Sequence, residues 1–186
     1  MPKLIIGLVG QQGCGKGTAS KILQEKYGAE LFRFSAILND ILGRLSLPQD
    51  RNHFIKLSEA LRAAFGEDVL AYAIERDAVN SKADIIVIDG IRRPEDIVAL
   101  EPLPQFKLIE IAAKPEVRFE RMKERGEKSG ESQRSYEDFL AEEQRSTEVT
   151  IPLVSKRAWK TVENDGTLAE LEAKFEEIMQ ELSQNN

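Results

Sequence analysis

The chain has 186 residues, of which 41% are hydrophobic and 31% charged, the length and composition of one globular domain with a full core. Its net charge of -6 and pI near 5.1 argue against a nucleic-acid backbone as main partner, because that role calls for a basic surface. With one cysteine, Cys14, and one histidine, His53, an internal disulfide and a Cys/His zinc site are excluded; the apolar run at residues 4–9 is too short for a signal peptide or a membrane span, so the cytoplasm is the expected location.

The run Leu4-Ile5-Ile6-Gly7-Leu8-Val9 reads as a strand buried on both faces. Residues 16–27 read as a helix closed by Gly28. A second strand is expected at residues 30–34, followed by a helical stretch over 35–80 that breaks near Pro48 and Gly66. Ile85-Ile86-Val87-Ile88 is a second buried strand, ending at Asp89-Gly90. Pro94 and Pro115 suit the first turn of a helix, residues 106–112 read as a strand, and 117–125 as a helix. The stretch 126–134 reads as a mobile loop. Ser135-Tyr136-Glu137-Asp138 looks like a helix start, 159–162 like a last strand, and Thr167-x-x-Glu170 like a capping box. The helix it opens places Leu168, Leu171, Phe175, Ile178 and Leu182 on one face.

Strands alternating with helices predict a parallel, five-stranded sheet with helices on both faces, the α/β three-layer sandwich. The expected division is 1–34 phosphate-loop core, 35–80 helical acceptor-binding region, 84–112 core strands, 115–148 a small helical lid with its loop, and 159–182 last strand and C-terminal helix.

Gly10-Gln11-Gln12-Gly13-Cys14-Gly15-Lys16-Gly17-Thr18 lies between a buried strand and a helix, the context that a P-loop requires. Glycines let the backbone adopt positive φ and wrap its N–H groups around a phosphate, and the helix N-terminus adds partial positive charge. Lys16 is placed to bridge the outer phosphates of a nucleotide. Gly17 stands where a general P-loop carries the hydroxyl that ligates Mg²⁺, and Thr18 follows one position later. Cys14 reads as a small loop residue turned away from the chemistry.

This loop resembles that of adenylate kinase and related nucleoside monophosphate kinases. The resemblance implies ATP held by Gly13, Cys14, Gly15, Lys16, Gly17 and Thr18, with Mg²⁺ bound mainly by phosphates and water. Asp89, at the carboxyl edge of a buried strand, is the expected acid that orders the metal's water shell. Asp89-Gly90-Ile91-Arg92-Arg93-Pro94 is similar to the Asp-Gly-x-x-Arg segment of the same kinases, which implies Arg93, with Arg92 beside it, on the acceptor phosphate. Arg118, Arg121 and Arg125 share a helix face by spacing, and Arg134 and Arg145 follow. They are similar to the arginines of the family's lid, with Arg121 and Arg125 the expected catalytic pair; a solvated face laced with ion pairs is the alternative.

Ser35 looks like the serine that opens the monophosphate-binding helices. The arginine that the family carries a few residues later is replaced by Ile41, so Arg51 and Arg62 are the candidates to take over. The runs 57–62 and 65–70 resemble an archaeal branch of adenylate-kinase-related proteins. Asn164-Asp165-Gly166-Thr167 resembles the turn that lies near the donor adenine in nucleoside monophosphate and dephospho-CoA kinases, which makes Asn164 a nucleotide contact; a plain turn and helix cap is the alternative.

The resemblance implies phosphoryl transfer from ATP·Mg²⁺ to a nucleoside or deoxynucleoside monophosphate, by a monomer or homodimer with a small-molecule partner. Two alternatives stand beside it. One changes the acceptor to dephospho-CoA. The other is an ATP-hydrolysing switch or assembly factor. No Asn-Lys-x-Asp run for reading guanine occurs.

Overall fold

The computed structural model describes residues 2–125, 135–144 and 148–184. Five strands form one sheet in the order β2-β3-β1-β4-β5: β1 (Leu4–Val9), β2 (Glu30–Arg33), β3 (Ile85–Asp89), β4 (Phe106–Ala112) and β5 (Lys160–Glu163). Every pairing is parallel. All six residues of β1 are buried, as expected of a central strand with helices on both sides.

Alternation along β1 divides the core in two. Leu4, Ile6 and Leu8 pack with Ala19, Ile22 and Leu23 of helix α1 (Lys16–Tyr27) and with Leu171, Phe175 and Ile178 of α8 (Leu168–Gln184). Ile5 and Val9 face the other layer. That layer holds Leu38 of α2 (Phe34–Arg44), Leu70 and Ile74 of α4 (Val69–Asn80), and Ile151 and Val154 of α7 (Ile151–Ser155). Helix α3 (Arg51–Phe65) lies outside α2 and α4, and its one buried residue is Arg62. Helices α5 (Pro115–Arg125) and α6 (Tyr136–Glu143) pack through Phe119, Tyr136 and Phe139.

Four details depart from the expected elements. Strand β2 stops at Arg33, and Phe34 opens α2, because its ring is drawn into the core beside α4. Pro94 starts only a 3₁₀ turn, Pro94–Ile97, since Pro102 and Pro104 soon deny the chain an N–H and a helical neighbour. Helix α7 has no counterpart in the sequence reading, because five residues containing Pro152 carry no clear periodicity. Leu168 is 56% exposed, apart from Leu171, Phe175, Ile178 and Leu182; it is the first residue of α8 and borders a cleft. The expected loop at 126–134, with Arg134, and Arg145 lie outside the described residues.

The short caps behave as the local sequence dictates. The Ser135 hydroxyl accepts the Asp138 N–H at 3.0 Å, and the Asp138 carboxylate accepts the Ser135 hydroxyl at 2.8 Å. Thr167 and Glu170 pair reciprocally, with the Thr167 N–H donating to the Glu170 carboxylate at 2.7 Å.

Candidate active site at the carboxyl edge of the sheet

From β1 the chain crosses to the edge strand β2 and returns to β3, while β4 and β5 lie on the other side. The carboxyl ends of β1 and β3 therefore open at the point where strand order reverses, where open α/β sheets bind their ligands. The loop from Gly10 to Lys16 leaves β1 there and Asp89 ends β3 beside it.

Two glycines show why the loop has its sequence. Gly13 has φ 81°, and a Cβ on it would lie 2.7 Å from the Arg118 carbonyl oxygen. Gly15 has φ 106°, and its Cβ would lie 2.3 Å from Asn164 Nδ2. Both positions demand the left-handed region and close approach of a neighbour, which only glycine tolerates. Lys16 Nζ folds over the loop and donates to the Gly10 and Gln11 carbonyls at 2.5 and 3.1 Å.

The loop is held from behind by contacts with its backbone. Asn164 is buried, and its Nδ2 donates to the Cys14 carbonyl at 2.8 Å. Arg118 is 1% exposed. It donates to the Gln12 carbonyl at 3.3 Å and the Ala113 carbonyl at 3.0 Å, pairs with Glu143, and sits over the Phe139 ring. Arg118 thus joins the phosphate loop to α6 and is taken up in structure. Arg121, one turn on, donates to the Asn164 and Gly166 carbonyls at 2.7 and 2.9 Å. The Asp165 carboxylate accepts the Lys114 N–H at 2.8 Å, and that bond holds its pKa below the usual carboxylate range. The Asn164–Gly166 turn is therefore bonded to the loop, to β4's exit and to α5 at once.

In front of the loop lies a cleft of about 630 Å³. Gly13, Gly15, Lys16, Gly17 and Thr18 of the loop and its helix line it, together with Arg121, Met122, Asn164, Gly166, Thr167, Leu168 and Leu171. Cys14 is buried and does not face this cleft. It belongs to the core beneath the loop and borders a separate small cavity. The side chain of Arg125 lies outside the described residues.

A second pocket of about 380 Å³ adjoins the first. Phe34, Leu38, Phe54, Leu70, Ile91 and Ile151 give it an apolar floor, and Ser35, Ser58, Arg33, Arg51, Arg62, Arg92 and Arg93 give it hydroxyls and positive charge. Ser35, Arg51, Arg62, Arg92 and Arg93, spread over 59 positions of sequence, all come to this one pocket. Lys16, Asp89 and Arg92 line both pockets, so the two spaces meet at a cation, a carboxylate and a guanidinium.

The arginines here are paired rather than loose. Arg62 Nη2 lies 2.7 Å from Asp96 Oδ1, with both side chains almost fully buried, and its Nη1 donates to the Glu67 carbonyl. Arg93 reaches the exposed Glu67 carboxylate at 3.3 Å. Arg92 pairs with Glu148, and Arg33 Nε lies 3.7 Å from Asp89. Sequence reasoning missed Arg33, Asp96 and Glu148. Arg33 sits two residues before the expected Ser35 site, and Asp96 sits three after Arg93, where an acid at the third position of a turn was a readable signal. Glu148 carried none.

Among the described residues no group of three or more His, Cys, Asp or Glu is placed to hold a metal ion, and no helix is long and apolar enough to cross a membrane.

Comparison with known proteins agrees with this architecture. A structure of TT1252 from Thermus thermophilus superposes with a TM-score of 0.65 at 21% identity, covering 98% of this chain and 99% of that one. A shikimate kinase from Bacteroides thetaiotaomicron gives 0.63 at 13% identity, covering 95% and 98%. Both are likenesses of fold. In sequence, the chain is 29% identical over 176 residues to a UPF0200 protein of Methanoregula boonei, covering 94% of this chain and 95% of that one. It is 26% identical over 179 residues to one of Sulfurisphaera tokodaii, covering 96% and 97%. A family model described as AAA domain matches residues 9–140, from the end of β1 through the phosphate loop to α6. That match takes in well over half of the chain, which therefore belongs to the AAA domain family.

Proposed function

We propose that this protein is a phosphotransferase that moves the γ-phosphoryl group of ATP to the phosphate of a nucleoside or deoxynucleoside monophosphate. The observation that carries the reading is the meeting of two pockets at Lys16, Asp89 and Arg92. A donor phosphate on the loop and an acceptor in the second pocket would face each other across that junction, as in-line transfer needs.

The chemistry of the second pocket favours an acceptor that is already anionic. Its lining carries five arginines and two carboxylates, Asp89 and Asp96. Asp96 is occupied by three hydrogen bonds, from Arg62 and from the Arg92 and Arg93 N–H groups. An alcohol acceptor would need a general base, whereas a phosphate acceptor arrives ionised and needs only cations to position it. The apolar floor with two phenylalanines suits a flat base.

Within this reading, the loop from Gly13 to Thr18 cradles the donor phosphates and Lys16 swings from its carbonyl partners onto them. Asn164, Thr167, Leu168 and Leu171 flank the adenine end. Residues 35–80 form the acceptor-binding region and 115–148 the lid, whose Arg121 lines the donor cleft and would leave its carbonyl partners to meet the transferring group. Asp89, with Thr18 nearby, fits Mg²⁺ bound mostly through phosphates and water, since Mg²⁺ retains much of its water shell and takes few protein ligands. When bound, the ion would neutralise charge between the outer phosphates. The reaction is expected in the cytoplasm, by a monomer or homodimer.

The test is incubation with ATP and Mg²⁺ and a panel of ribo- and deoxynucleoside monophosphates and dephospho-CoA, with products resolved by chromatography. ADP together with one phosphorylated acceptor supports the reading and names the acceptor; phosphorylated dephospho-CoA moves it to that substrate. ADP and free phosphate at the same rate without acceptor would replace it with an ATPase switch.

A further inference from the structure

We propose that Asp96 is a positioning residue that presets the anion clamp of the second pocket. The inference rests on reading that pocket as the acceptor site and deepens it. One carboxylate organises two separate segments. Asp96 Oδ1 holds the Arg62 guanidinium of α3 at 2.7 Å, and Oδ2 accepts the N–H groups of Arg92 and Arg93 at 2.9 and 3.0 Å. Three lining arginines therefore take their place from a single side chain, itself 3% exposed.

Arg62 shows the consequence. It is 8% exposed, lines the pocket, and has its Nη1 and Nη2 committed to Glu67 and Asp96. Its Nε has no hydrogen-bond partner among the described residues and is buried. A buried guanidinium N–H without a partner is costly, and the two bonds to Glu67 and Asp96 hold the fork oriented in spite of that cost. An oxyanion in the pocket would meet a guanidinium already fixed in place. The backbone turn at Arg92 and Arg93 is fixed by the same carboxylate, so both side chains start from a set position. Rigid forks lose little freedom on binding a phosphate, which is how preorganisation turns into affinity.

Two variants separate positioning from simple support. Asp96→Asn removes the charge, and an amide cannot accept at both ends. Asp96→Glu keeps the charge and moves it by one methylene, so it serves if the first variant fails to fold. For both, the acceptor KM is expected to rise roughly 10- to 100-fold, the worth of one or two charge-assisted hydrogen bonds, while the KM for ATP stays within about 3-fold. A purely structural role would lower Tm and the active fraction, seen as kcat, with the acceptor KM unmoved; that result overturns the proposal. If wild-type protein phosphorylates no acceptor, the kinase reading fails on its own, and the clamp is then read without turnover. Inorganic phosphate would be titrated calorimetrically into protein loaded with Mg²⁺ and a non-hydrolysable ATP analogue. Binding that weakens at least tenfold in Asp96→Glu upholds the clamp; equal binding, or none to wild type, overturns it.

Discussion

The two pockets are built by different means. The cleft in front of the loop, the proposed donor site, is shaped by backbone: left-handed glycines, and side chains such as Asn164, Arg118 and Arg121 that all donate to carbonyl oxygens of the loop and its flanking turn. The second pocket, the proposed acceptor site, is shaped by side chains that pair with one another, Arg62 with Asp96, Arg93 with Glu67 and Arg92 with Glu148. A backbone cradle fixes where phosphate must lie and tolerates little change in sequence. A pocket of paired charges can be retuned by single substitutions, and so can differ in acceptor among proteins that share the loop.

The largest break in that contrast should come at the junction. Lys16→Met removes the ammonium that both pockets share, and kcat is expected to fall ~10²- to 10³-fold, by analogy with loss of one preorganised charge-stabilising donor. Retention of the wild-type rate in a steady-state assay would remove Lys16 from the mechanism. Next, Asn164→Ala strips the buried partner from the Cys14 carbonyl. It should lower stability by about 1–3 kcal/mol, read by urea unfolding, and raise the KM for ATP more than that for the acceptor. The reverse order would mean that the turn does not support the donor side.

A smaller effect sharpens the other half. Glu67 is exposed and holds Arg93 in a surface pair, an interaction worth about 0–1 kcal/mol. Glu67→Gln should release Arg93 for the acceptor and lower its KM by up to ~5-fold, an effect that fades in high salt. No change at low salt would place Arg93 outside acceptor binding. The smallest effect concerns pH. The Lys114 N–H holds the Asp165 carboxyl below its usual pKa, which is ~3.9 when unfolded. Its contribution is therefore present above that value and is lost as pH falls through the lowered one. Asp165→Asn should lower stability slightly at neutral pH and flatten the acid limb of a stability–pH curve below about pH 4.

How legible each region was follows from the same contrast. The run 4–9 and the loop 10–18 depend on local features, burial on both faces and positive φ, and residue types signal these directly. Gly13 and Gly15 can be nothing else. The capping box at Thr167 and Glu170 is local too. The acceptor pocket depends on partners 34 to 56 positions apart, Arg62 with Asp96 and Arg92 with Glu148, and no sequence period marks such pairs. Spacing alone put Arg118 and Arg121 on one lid face; tertiary packing buried the first beneath the loop and tied the second to the Asn164 turn. Helix α7, which supplies Ile151 to the acceptor floor, was hidden by Pro152 and by its five-residue length.

The proposed function requires donor and acceptor pockets that meet at one point. It is tested most directly by calorimetric titration of a molecule with two nucleosides joined through a five-phosphate chain, in the presence of Mg²⁺. One such molecule should bind per chain, at least ~100-fold more tightly than ATP because two sites are engaged at once, and be displaced by neither ATP nor acceptor alone at moderate excess. Binding no tighter than ATP, with the second pocket still open to acceptor, would contradict it.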